Sequence, residues 1–160
     1  MNTYIIWELL GTQELILNFL PPTLNEQINS ARTHWAVSAA TKKKLNKKIA
    51  GLSKELQPIK SDVIWLEYHW YLKSFARDND NVSAAAKYIQ DGLVESGIFK
   101  KDNLTFIQSP VIHYYHKSES DFVCLHIHTN PLPLVINFLK DFERFISFSK
   151  LKVLIIKYLF

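Results

Sequence analysis

At 160 residues the chain is long enough to bury a core as one domain, and 48% hydrophobic with 21% charged residues excludes disordered and fibrous classes. A net charge of +4 points only weakly to an anionic partner, and the single cysteine, Cys124, excludes an internal disulfide. No apolar run approaches a membrane span: the greasy stretch 131–160 is interrupted by seven charged residues between Lys140 and Lys157. The N-terminus lacks the basic n-region and small-residue cleavage site of a secretory signal, so a cytoplasmic protein is expected.

Taken in chain order, residues 14–20 read as a strand stopped by Pro21-Pro22, with a turn or loop through Asn25. From Trp35 to Leu56 the Ala-, Lys- and Leu-rich composition predicts a helix ended by Pro58. Its Lys42-Lys43-Lys44 and Lys47-Lys48 supply five of the eight basic residues in the first 60, against four acids there. Residues 63–73 carry the aromatic and branched side chains of a strand. A helix follows over 82–96, with Asp80 or Asn81 as N-cap and Gly97 ending it. Strands are predicted at 104–115 and 121–128, a helix at 134–148 and a last strand at 151–160. The class is α+β, a single domain over 1–160 with a mixed or antiparallel sheet and helices packed on it.

The chemically organised residues lie between 77 and 102. On a helical wheel with Asp80 at zero, Lys87 falls at about −20° and Asp91 at about +20°, while Val82, Ile89 and Leu93 point the opposite way. Asp78 lies two residues before Asp80, and Asp102 follows the short connection after Gly97. Clustered carboxylates repel unless a cation neutralises them. Oxygen donors suit Mg²⁺ or Mn²⁺, and an adjacent lysine can stabilise the extra charge of a phosphoryl transition state. Taken alone, the same residues also read as a turn with a helix cap and a surface ion pair.

The run Arg77-Asp78-Asn79-Asp80-Asn81, then Lys87, Asp91-Gly92-Leu93, Gly97 and Lys101-Asp102-Asn103, resembles the RusA family of Holliday junction resolvases. The upstream Pro21-Pro22-x-x-Asn25 resembles that family's N-terminal loop. The likeness covers residues 14–128 as a nuclease core, leaving 131–160 as an extension of unassigned role. It implies a Mg²⁺-dependent endonuclease that resolves four-way DNA junctions, with Asp78, Asp80 and Asp102 as metal ligands, Lys87 as a catalytic partner and Asp91 supporting it. It also implies a homodimer. The sequence departs from the pattern in two places. Lys87 aligns only if three residues are inserted ahead of it, and Lys101 stands where the final turn often carries an acid.

Other features have two readings each. Arg32, Lys42, Lys43, Lys44, Lys47, Lys48 and Arg77 are candidate DNA contacts, and the lysine run is equally a solvated helix face. His113, His116, His126 and His128 invite a zinc reading, and His126 and His128 share a strand face, but no Cys or third ligand is placed by the sequence, so cross-strand packing or surface positions are expected. Trp65, Trp70 and Tyr71 are expected in the core. Cys124, in an apolar run, is expected to be a buried, inert thiol. A non-catalytic DNA-binding protein, or a metal nuclease acting on another branched nucleic acid, is the alternative function.

Overall fold

Alternation along each strand decides what this sheet covers and what it displays. The computed structural model describes residues 11–33 and 35–145, of which 33, 35–38, 138 and 141–145 are described in backbone only. Its four strands, β1 (Thr12–Leu17), β2 (Trp65–Leu72), β3 (Ile112–Lys117) and β4 (Phe122–His128), form a mixed sheet ordered β1-β4-β2-β3. β4 runs antiparallel to both β1 and β2, while β3 runs parallel to β2. The helices are α1 (Leu24–Thr33), α2 (Trp35–Leu52), α3 (Asn79–Ser83), α4 (Ala86–Glu95) and α5 (Leu132–Phe145). The fold is α+β, with helices packed on the sheet.

One sheet face carries Leu15 and Leu17, Leu66, Tyr68, Trp70 and Leu72, and Val123, Leu125 and Ile127. These are buried together with Ile49 of α2, Val82 of α3 and Ile89 and Leu93 of α4. Each such side chain is fixed tightly enough that truncation to alanine costs about 2–5 kcal/mol. Trp70 and Tyr68 stack at 5.4 Å, and the Trp70 indole N–H donates to His113 Nδ1 at 2.9 Å, so the polar edge is satisfied. Burial lowers the His113 pKa and keeps the ring neutral, as an acceptor must be. His113 and Trp70 are therefore packing residues.

Packing of α2 on α4 depends on Gly92. A Cβ there would lie 2.7 Å from Ile49 Cγ2. The Asn46 amide adds a hydrogen bond to Glu95 at 2.7 Å. After α4, Gly97 takes a positive φ of 78°, the left-handed turn that a glycine adopts without strain.

The chain divides into two compact units, residues 1–130 and 131–160. The second contains α5. The predicted strand at 151–160 and the end of the predicted helix at 146–148 lie outside the described residues.

Three elements differ from the sequence reading. Residues 24–33 are helical, where the turn or loop was expected through Asn25 and no element was assigned from there to Trp35. Their start is held by one half of a capping box: Glu26 Oε2 accepts both the Thr23 amide at 2.7 Å and the Thr23 hydroxyl at 2.8 Å. The helix expected over 82–96 starts earlier, at Asn79, and is broken at Ala84–Ala85. Across that break Ala85, Lys87 and Tyr88 donate to carbonyls three residues back, a tighter winding. β3 begins at Ile112, because residues 104–106 turn and only Ile107 bridges back to Ile64.

Candidate functional site

Asp78 precedes α3 in extended conformation, with no side-chain cap hydrogen bond. Its carbonyl accepts the Val82 amide at 3.2 Å. Asp80 therefore lies in the first turn, where a carboxylate meets the positive end of the helix. Its Oδ1 accepts the Asn81 amide at 2.8 Å. Tyr115 of β3 donates to the Asn79 carbonyl at 3.0 Å. Burial, with a contribution from the Asp80 charge, raises the Tyr115 pKa. Asp78 and Asp80 are both exposed.

Lys87 is the hub of the second half of the site. Its ammonium donates to Asp91 Oδ1 at 2.7 Å, one turn along α4, and to Asp102 Oδ2 from the turn that follows. Lys42 of α2 closes on Asp91 Oδ2 at 2.8 Å. Hydrogen bonds to Asp102 and Asp91 raise the Lys87 pKa against the opposing effect of burial. For Asp91, burial alone would raise the pKa, but the two lysine hydrogen bonds outweigh it and the net shift is downward. The expected common face thus holds for Lys87 and Asp91. Asp80, on the other side of the break at Ala84–Ala85, accepts the Asn81 amide instead.

The segment after β1 docks on this region. The Asn25 amide donates to Asn81 Oδ1 at 2.9 Å, and Gln27 reaches the Ala84 carbonyl at the helix break at 3.4 Å. Beside them opens a cavity of about 430 Å³ that Asn81, Arg77 and Asp121 help to line. Arg77 donates to Asp121 Oδ2 at 2.9 Å, and the Lys73 amide donates to Oδ1 at 2.7 Å. Burial would raise the Asp121 pKa, but these hydrogen bonds bring it down overall.

The candidate basic residues divide by partner. Lys42 is tied to Asp91, Arg77 to Asp121, and Lys48 sits 3.4 Å from the centre of the Phe19 ring. Arg32, Lys43, Lys44 and Lys47 are exposed.

A second constellation, on the opposite face of the sheet, was seen only in part from the sequence, as the His126 and His128 pair without a third ligand. Glu14 of β1, Glu67 and His69 of β2, and Cys124, His126 and His128 of β4 all point to that face. Among the described residues, two groups there could hold a metal ion: Glu67, His126 and His128, and Glu14, Cys124 and His126. The sequence signal was polar residues at alternate positions inside otherwise apolar strands, but the third ligand, Glu67, became visible only with the β2–β4 register. The Cys124 thiol is pushed up to about 12 by burial first and by the Glu14 and Glu67 carboxylates second, the inert thiol expected.

A hard ion such as Mg²⁺ needs oxygen donors gathered about one point. Asp78, Asp80 and Asp102 are of the right kind, yet among the described residues they do not form a group of three with ligand atoms within 4.8 Å of one another. Asp80 and Lys87 lie on different helices, either side of the break at Ala84–Ala85, and Asp102 is held at the Lys87 end. The set therefore fits the ion in chemistry and not in arrangement. Set against known proteins, the chain matches no family model and no curated protein. Among the described residues, no helix is long and apolar enough to cross a membrane.

Proposed function

We propose that this protein is a Mg²⁺-dependent endodeoxyribonuclease that cleaves branched DNA, in the manner of the RusA-type junction resolvases its motif resembles. The observation that supports this reading is the ammonium of Lys87 held between Asp91 and Asp102. The resemblance asks for a lysine, an aspartate one turn later and a carboxylate from the following turn. It also requires three inserted residues ahead of the lysine, and the interruption at Ala84–Ala85 lies in that segment. The contact of Asn25 with Asn81 likewise joins the two motif segments that are distant in sequence.

On this reading Lys87 faces the phosphate and Asp91 orients it, with Lys42 completing the pair. Mg²⁺ is the proposed ion, with Mn²⁺ as substitute, because the donors are oxygens. A homodimer would present two such sites to the two strands of a junction. The cytoplasm is the proposed location. Incubation with a synthetic four-way junction and with a linear duplex, each with and without Mg²⁺, tests the reading. The expected result is junction cleavage only with the ion and little cutting of the duplex. One observation favours a second reading, a DNA-binding protein without catalysis: Asp102 is committed to Lys87 instead of standing with Asp78 and Asp80. Junction binding with no cleavage in Mg²⁺ or Mn²⁺ would establish that reading and overturn the first.

A further inference from the structure

We infer that Glu67, His126 and His128 form a binding site for Zn²⁺ that joins β2 to β4, separate from the acidic motif. Glu67 lies on an inner strand and is fully buried, as is His128. A carboxylate withdrawn from water is costly unless cations or strong hydrogen bonds surround it. Here three imidazoles do: His69 Nε2 stands 2.6 Å from Oε1, His126 Nδ1 3.5 Å from Oε1 and His128 Nε2 3.8 Å from Oε2.

The first distance is a short hydrogen bond and the other two are not. Two ligands of one tetrahedral zinc ion, each about 2.0–2.1 Å from it, are separated by roughly 3.3 Å. The His126–Glu67 and His128–Glu67 spacings lie a few tenths of an ångström above that edge, and all three donor atoms fall within 4.8 Å of one another. The sheet fixes this arrangement, since Glu67 pairs directly with His126 while Trp65 pairs with His128.

The outer nitrogens support the same assignment. Thr12 Oγ1 lies 2.9 Å from His128 Nδ1. If that outer nitrogen carries its proton toward the threonine oxygen, His128 Nε2 turns its lone pair toward Glu67. The outer nitrogen of His126, Nε2, has Cys124 Sγ at 3.5 Å and Glu14 Oε2 at 3.7 Å. His69, held by His116 at 3.0 Å, fixes Oε1 of the same carboxylate. Two nitrogens and one oxygen suit Zn²⁺ better than Mg²⁺, which prefers oxygen alone.

The test is Zn²⁺ titration of the metal-stripped full chain against a chromogenic chelator, with metal content measured by mass spectrometry. One ion per chain is expected. Thr12→Val should weaken binding by about 10- to 100-fold, and Glu67→Gln and His128→Ala by more. Asp102→Asn should bind Zn²⁺ as the wild type does, which keeps this result independent of the nuclease reading. Should His128→Ala fail to fold, by circular dichroism, the Co²⁺-loaded wild type decides. It should show the strong visible bands of a four-coordinate site without a thiolate-to-cobalt band. A thiolate band would move the ion to Glu14, Cys124 and His126 and overturn the proposal, as would no stoichiometric uptake or equal affinity in Glu67→Gln.

Discussion

The two faces of the sheet handle buried and half-buried charge in different ways. On the helical side, the carboxylates of Asp91 and Asp102 are exposed enough to meet long flexible lysines, Lys42 and Lys87, and they come from one stretch of chain. On the opposite face, the Glu67 carboxylate is fully buried and meets short, rigid imidazoles from its own strand and from β4. Exposed lysine pairs rearrange at little cost, because each is worth about 0–1 kcal/mol. The imidazoles are fixed by strand register and do not. A site that must accept phosphate suits the first arrangement, and a site that holds one small ion suits the second.

The largest expected effect separates chemistry from grip on the helical side. Lys87→Ala should slow junction cleavage by about 10²- to 10³-fold, with DNA affinity nearly unchanged in gel-shift titration. If Lys87→Ala cuts normally while Lys101→Ala does not, the three-residue insertion is misplaced. Next is the packing that positions Lys42 against Asp91. Gly92→Ala should destabilise the fold by about 1–3 kcal/mol in urea unfolding, since the new methyl meets Ile49 Cγ2. An unchanged midpoint would mean that α2 and α4 are less closely packed.

A smaller effect concerns protonation. Asp91 has a folded-state pKa below its ordinary value, so its stabilising pair is present above the unfolded value and lost as pH falls through the folded one. Lys87 has a raised folded pKa, so its share is present below the unfolded value and lost as pH rises through the folded one. Lys42→Met removes one of the two lysine hydrogen bonds. The Asp91 titration followed by NMR should then move upward, toward the ordinary carboxylate range. No movement would mean that Lys42 does not contact Asp91 in solution.

The smallest effect is on salt dependence. Lys42 and Lys48 already have partners in the protein, so Lys43, Lys44 and Lys47 are the ones left to meet phosphates. Replacing these three by Gln should reduce the slope of log affinity against log salt by roughly 2 to 3 units. An unchanged slope would assign them to a solvated face.

What was legible in the sequence was what depends on near neighbours. Lys87 and Asp91 face each other because four residues make one helical turn, and the Leu66, Tyr68 and Trp70 core follows from strand alternation. The helix break was not legible, because Ala84, Ala85 and Ala86 all favour an unbroken helix. The helix α1 was legible and missed: Thr23-x-x-Glu26 is the spacing by which a helix start is capped, and Glu26 does reach back to Thr23. Glu67 meeting His126 depends on the pairing of strands about sixty residues apart, which no local periodicity carries.

Asp102 is where the nuclease reading is most exposed, since its carboxylate stands with Lys87 and apart from Asp78 and Asp80. The direct measurement is single-turnover cleavage of a four-way junction in Mg²⁺ by Asp102→Asn, with junction binding measured on the same samples. Binding retained and cleavage lost, to the level of Asp78→Asn and Asp80→Asn, is the predicted result. Near wild-type cleavage by Asp102→Asn would contradict it.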